Sequence, residues 1–171
     1  IVLTGSGTPA AAGTFNIPVA FGTSNCTFSL VCDPGMVIEW KFTEGTVTYQ
    51  GVTDDAQLLS PVPGVTLFTY TGSNNTDDIL IVIGDINGGI LANETYSTSA
   101  AATTNSGSFL FLGGSVSYAA DPSKPGTNVT YKITSHSTAI KTIEGTFSGP
   151  VVDAGNAIKT ISAGTFKATY P

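Results

Sequence analysis

The chain has 171 residues, with six lysines, no arginine and twelve acidic groups, for a net charge of −6. That length supports one good core, or one domain with a small appendage. So few cations, none of them arginine, argue against nucleic acid as a partner, because phosphate binding relies on clustered Lys and Arg.

The chain opens on Ile1, Val2 and Leu3, without a methionine, a basic segment or the apolar core of a signal peptide. That start reads as a mature or processed product. A short strand is predicted over 1–4, then a small-residue stretch, Gly5–Gly13. The next strand, 14–21, places Phe15, Ile17, Val19 and Phe21 at alternate positions, and a third follows at 26–32. No charged residue occurs before Asp33. Cys26 and Cys32 are the only cysteines. Their even spacing puts both on one face of a strand, but an extended chain holds their Cα atoms about 20 Å apart. A disulfide needs about 7 Å or less. On a straight strand they stay reduced or bond to another molecule; a tight reversal before Cys32 is the third alternative.

Asp33-Pro-Gly35 is a turn that divides an N-terminal β extension, 1–32, from a body spanning 36–171. In the body, Ile38, Trp40 and Phe42 alternate with Glu39 and Lys41, which predicts a half-buried strand over 36–43. Another follows at 45–50, and Asp54–Ser60 reads as at most a short turn. Strands over 65–71 and 78–84 come next. Ile79–Ile83 is apolar on both faces and so reads as a central strand; as the longest apolar run it falls far short of the roughly 20 residues of a spanning helix. Further strands are predicted at 94–98, 108–112, 115–119, 127–135, 139–148 and 157–169, separated by turn sequences such as Gly72-Ser-Asn-Asn75 and Pro125-Gly126. The fold class is therefore all-β: an antiparallel β-sandwich or flattened barrel with an extended N-terminal segment. With 26 threonines and 20 glycines beside many bulky apolar residues, the composition is that of a secreted β protein and not of a disordered chain.

Lys141-Thr-Ile-Glu-Gly-Thr-Phe147 is nearly repeated by Lys159-Thr-Ile-Ser-Ala-Gly-Thr-Phe166, and Gly13-Thr-Phe15 repeats the triplet. The first two flank Pro150–Asn156 and read as the paired strands of a terminal hairpin. No fixed period runs through the chain, which excludes a solenoid.

Chemistry-bearing residues are sparse. His136, the only histidine, lies between serines and reads as a surface turn residue; no Gly-x-Ser-x-Gly elbow accompanies it. Two cysteines and one histidine match no zinc spacing. Asn74–Asp78 is the best locus for a hard cation, although such residues are more often turn formers. Glu39, Glu44, Glu94 and Glu144 would have to converge for glycoside hydrolysis, and Glu39 and Glu144 read as outward strand positions. Tyr49, Tyr70 and Tyr96 are the candidates for a glycan-stacking surface, and Trp40 reads as core. The chain is thus expected to be non-catalytic, with no cofactor and no assigned metal site.

The segment Gly7-Thr-Pro-Ala-Ala-Ala-Gly-Thr-Phe-Asn-Ile-Pro-Val-Ala-Phe21, followed by Asn25-Cys-Thr-Phe-Ser-Leu-Val31, resembles a β-hairpin unit near the N-termini of secreted Bacteroidota surface proteins. The stretch from Thr130-Tyr-Lys-Ile-Thr134 to Gly164-Thr-Phe-Lys-Ala168 resembles the C-terminal half of uncharacterised secreted domains and lipoproteins of that phylum, without their lipobox cysteine. Strand-exchange pilins of the phylum offer a similar assembly scheme. The resemblance implies a secreted bacterial protein of the cell surface. The leading expectation is a structural subunit of a filament or matrix, polymerising head to tail with itself. Its contact residues would be Ile1, Val2, Leu3, Phe15, Ile17, Val19 and Phe21, on a segment that pairs with a neighbour's sheet edge; Cys26 and Cys32 would lock subunits covalently. The alternative is a cell-surface module that binds a glycan, another ligand, or a host or matrix surface.

Overall fold

The structure, a computed structural model, describes residues 13–22, 24–32, 38–86, 88–90, 92–102 and 104–171. The chain divides into two compact units, Ile1–Val37 and Ile38–Pro171. The first contains β1 (Gly13–Phe21) and β2 (Ser24–Cys32), a two-stranded antiparallel sheet. The second contains β3 (Trp40–Glu44), β4 (Val47–Val62), β5 (Val65–Asn74), β6 (Asp77–Asp85), β7 (Thr95–Ser97), β8 (Asn105–Leu112), β9 (Ser117–Ala120), β10 (Thr130–Ser137), β11 (Thr142–Asp153) and β12 (Ile158–Thr169). The all-β class read from the sequence is the observed one.

The strands of the second unit form one sheet whose pairings return on themselves. From β3 the order runs through β4, β5, β6 and β8 on one side, and through β12 and β11 on the other. At one end β9 bridges β8 and β11; at the other, β7 and β10 do so. This barrel-like closure leaves few open edges. As predicted, β6 is central, bonded to β5 and β8. Ile79, Ile81 and Ile83 are buried, while Leu80 and Val82 between them are only half-buried on the opposite face.

One predicted element changes. Asp54–Ser60 is not a turn; it lies within the 16-residue strand β4, with Ala56 buried. Register shifts beside the adjacent Asp54 and Asp55 hid the alternation. Each acid is bonded on the surface, Asp54 accepting from the Ser73 hydroxyl and Asp55 from the Gln57 amide. The terminal hairpin has a shorter connection than its sequence suggested, because β11 continues through Pro150 to Asp153 before turning. A register shift at Phe147/Gly149 accommodates the extra residue, with Gly149 at φ 143.

The interior is filled by aromatic rings set against glycines. Trp40 is fully buried, donates from Nε1 to the Val52 carbonyl, and lies over Gly51 and Gly72; a Cβ on either would sit 2.6–2.7 Å from its ring. Tyr131 covers Gly107 in the same way, at 2.8 Å. The repeated triplet has the same cause. In the antiparallel β11–β12 pair, Gly145 stands opposite Phe166 and Phe147 opposite Gly164, around the Thr146–Thr165 pair. Each phenyl ring lies across the other strand's glycine, where a Cβ would meet ring carbons at 2.5 Å for Gly145 and 2.6 Å for Gly164. The two triplets are the halves of one reciprocal contact.

Alanine at Gly145 or Gly164 is therefore expected to destabilise the fold by about 1–3 kcal/mol, the usual cost of overpacking. Trp40, the single tryptophan and fully buried, reports this directly in urea unfolding. A midpoint unchanged from wild type in both variants contradicts the ring-over-glycine contact.

Buried hydroxyls give a second test. Tyr131 donates to the Ser108 carbonyl at 2.8 Å, and desolvation holds its pKa well above the ordinary tyrosine range. Burial likewise raises Tyr70, whose hydroxyl meets Thr53 Oγ1. The folded state thus keeps protons that the unfolded chain loses near pH 10. Their stabilisation is complete below that pH and falls as pH rises above it. Phenolate absorbance from these tyrosines should appear only as Trp40 becomes exposed. Simple titration of all six in the native protein is the contrary result.

Candidate functional site

The most distinctive surface belongs to the hairpin. Its register pairs Phe15 with Leu30, Ile17 with Phe28 and Val19 with Cys26; between these, Asn16 pairs with Ser29, Pro18 with Thr27 and Ala20 with Asn25. Directly paired residues share a face of an antiparallel sheet. Among the described side chains, one face therefore carries Ile17, Cys26, Phe28 and Leu30, and the other carries Asn16, Pro18, Asn25, Thr27 and Ser29, with Ser29 Oγ donating to Asn16 Oδ1. Phe28 is 41% exposed and Leu30 46%. Of the expected contact residues, Ile17 is half-buried; Ile1, Val2 and Leu3 lie outside the described residues, as do the side chains of Phe15, Val19 and Phe21. Phe28 and Leu30 were missed as contact residues, although their alternation within 26–32 signals the same face.

Cys26 is an exposed free thiol. The backbone of β2 is continuous from Ser24 to Cys32, so both cysteine Cα atoms lie on one strand, about 20 Å apart. A bond between the two within one chain is excluded, and the tight reversal before Cys32 with it.

The second feature is the outer wall formed by β6, β8 and β9. Leu80 is paired with Leu110, and Leu110 with Ala119. These residues floor a groove of about 510 Å³ walled by the loop Asp121–Lys124. Asp121 fixes that loop by accepting from the backbone N–H and hydroxyl of Ser123, which lowers its pKa. Leu112 continues the apolar surface at 48% exposure. Sequence reading passed over this groove, but its signal was present: Ile79–Ile83 and Phe109–Leu112 are apolar at both odd and even positions.

A third hollow, about 370 Å³, lies among Glu44, Tyr49, Tyr118, Asp153 and Lys159. Tyr118 donates to Glu44 Oε2, and Asp153 accepts the backbone N–H groups of Gly155 and Ala157. Of the tyrosines considered for glycan stacking, Tyr70 and Tyr96 are fully buried, and Tyr49 is half-buried against Phe42 and Phe111.

The candidate acids are held in structural bonds. Glu39 accepts the Thr53 N–H, and Glu144 pairs with Lys167 at 2.8 Å. Asn74 takes the N–H groups of Thr76 and Asp77 on its side-chain oxygen and donates to Asp77, closing the β5–β6 turn. Among the described residues no three His, Cys, Asp or Glu side chains are grouped as a metal site, and no helix is long and apolar enough to cross a membrane.

His136 is not the surface turn residue expected from its neighbours. It lies in β10, half-buried, with Nδ1 2.7 Å from the Ile90 carbonyl and Nε2 2.9 Å from the Tyr170 hydroxyl. A carbonyl can only accept, so Nδ1 carries a proton and donates to Ile90, while Nε2 and the Tyr170 hydroxyl share the second hydrogen bond. The residue clasps the segment before β7 and the chain's C-terminus onto β10.

No family model matches the chain, and no curated protein or solved structure matches it significantly.

Loss of the clasp in His136→Ala is expected to cost about 1–2 kcal/mol, at roughly 1 kcal/mol per hydrogen bond, with Tyr170→Phe costing less. Nitrogen-15 NMR at neutral pH should find Nδ1 protonated; the Nε2–H tautomer contradicts this geometry.

Proposed function

We propose that this protein is a non-catalytic extracellular structural subunit of the bacterial cell surface, joined to neighbouring copies through its N-terminal hairpin. The carrying observation is the hairpin's apolar face, where Phe28 and Leu30 are exposed on a two-stranded sheet. A two-stranded hairpin is marginal by itself in water. Its strands contain no charged residue, and charge is the usual guard against edge and face association. The unit Ile38–Pro171 has its own continuous core and a sheet whose pairings close. A hairpin that needs a partner, on a chain whose body is self-sufficient, favours contact between molecules. Contacts of one patch with a different patch on the next copy generate fibres where the rotation between copies does not close a ring.

The alternative, a ligand-binding module, draws support from the hollow among Glu44, Tyr49 and Lys159. Burial of Tyr70 and Tyr96 removes most of the aromatic surface on which a glycan would stack.

Full-length protein is expected to form polymers by light scattering and electron microscopy. Deleting residues 1–37 should yield a folded monomer with Trp40 still buried. On denaturing gels without reductant, any ladder in multiples of 17.4 kDa should shorten in Cys26→Ser. A deletion variant that still polymerises refutes the assembly reading.

A further inference from the structure

We propose that the hollow among Glu44, Tyr49, Tyr118, Asp153 and Lys159 binds a neutral, hydroxyl-rich ring, one sugar unit of a glycan. All of its residues belong to the unit Ile38–Pro171, so the site stands or falls separately from assembly through the hairpin.

Three chain reversals build it. β3 ends at Glu44 and β4 begins at Val47, with Gly45 at φ 57 in the tight turn between them. Ser115–Ser117 leads from β8 into β9 and brings Tyr118 to the same hollow. Between β11 and β12, Asp153 Oδ1 accepts the N–H groups of Gly155 and Ala157 and so fixes that turn. Tyr118 is 3% exposed, and its hydroxyl donates to Glu44 Oε2, which holds that carboxylate in place. Burial, with Tyr49 and Glu44 adding to it, raises the pKa of this phenol and keeps it a donor. The site is therefore set before any ligand arrives, which lowers the entropy lost on binding. Its volume of about 370 Å³ is at the small end of the about 300–1,000 Å³ usual for small-ligand sites. That suits one ring better than a long chain.

The polar groups select the ligand. Glu44 Oε1 and Asp153 Oδ2 are the carboxylate oxygens not used in the bonds just described. Among the described residues the ion pair is Lys167–Glu144, which leaves Lys159 as an unpaired donor. An anion here would face two carboxylates, and a cation would face Lys159. Among the described residues no group of His, Cys, Asp and Glu is arranged to hold a metal ion. A sugar hydroxyl gives its proton to a carboxylate and accepts one from an ammonium. A ring of adjacent hydroxyls thus answers both signs and adds no charge, through hydrogen bonds strengthened by the ionised protein groups. Tyr49, half-buried and stacked on Phe42 at 5.1 Å, supplies aromatic surface for the C–H side of the ring.

Saturation-transfer NMR and calorimetry on the full-length protein test this. The probes are glucose, galactose, mannose and N-acetylglucosamine, with glucuronic acid, glucosamine and glycine as anionic, cationic and zwitterionic comparisons. At least one neutral sugar is expected to bind, and more tightly than all three charged probes. Its Kd should rise about tenfold in Glu44→Gln and in Lys159→Met, the worth of one hydrogen bond to a charged group. The urea midpoint read by Trp40 reports folding; Lys159→Met carries the test if Glu44→Gln is unfolded. Light scattering should be the same for wild type and folded variants, so binding and assembly are read apart. No binding by any neutral sugar overturns the inference. So does a charged probe that binds more tightly, or sugar affinity unchanged in the folded variants.

Discussion

The body of this protein depends on aromatic rings occupying space that only glycine leaves free. Trp40 covers Gly51 and Gly72, Tyr131 covers Gly107, and Phe147 and Phe166 each lie across a glycine on the partner strand. A closed sheet has a fixed interior volume set by its strands, so large and small residues must alternate across it. If every inward position carried a side chain, these rings would force the strands apart. The glycines allow Trp40, Phe42 and Phe111 to meet at ring separations of 4.9–6.4 Å and still leave the ladders intact. Interior contact and hydrogen bonding are thereby satisfied by the same residues.

Polar groups follow from that arrangement. Large rings with a hydroxyl or N–H must find an acceptor when buried. Trp40 uses the Val52 carbonyl, Tyr131 the Ser108 carbonyl, and Tyr96 the buried Asp85 carboxylate. His136 and Tyr170 do the same for the chain's last residues. Among the described residues no buried side-chain nitrogen or oxygen lacks a partner. His136, Glu39 and Glu144 are each engaged in bonds that hold strands and the last residues together.

What distinguishes the molecule's surface is the imbalance between its two units. The body closes its sheet, and its outer strand faces carry the row Leu80, Leu110 and Leu112 beside further exposed apolar residues such as Val47, Leu59, Val62 and Ile158. The hairpin carries Ile17, Phe28 and Leu30 on one face and no charge in its strands. Apolar surface of this kind is costly in water unless it is covered, and assembly through the hairpin would cover Phe28 and Leu30.

Much of the architecture was legible in the sequence. Period-2 alternation at Trp40 and Phe42, and at Tyr131 and Ile133, marked strands and their buried faces, because the side-chain period of a strand is fixed by backbone geometry alone. The long strand through Asp54–Ser60 was hidden, since register shifts at Thr53/Asp55 and Leu59/Val62 interrupt its period of two. His136 was misread for a related reason: its serine neighbours resemble a turn, and its two partners lie 46 and 34 residues away.

The sequence by itself determined the all-β class, the uncharged N-terminal segment and the pairing of the repeated triplets. All of these rest on local period and spacing. Only the tertiary structure decided why the triplets repeat, which apolar residues of Ile79–Ile83 face inward, and that β8 stands opposite β3. Those facts depend on which strands lie beside one another around a closed sheet, and contacts across that ring join residues that no local pattern links.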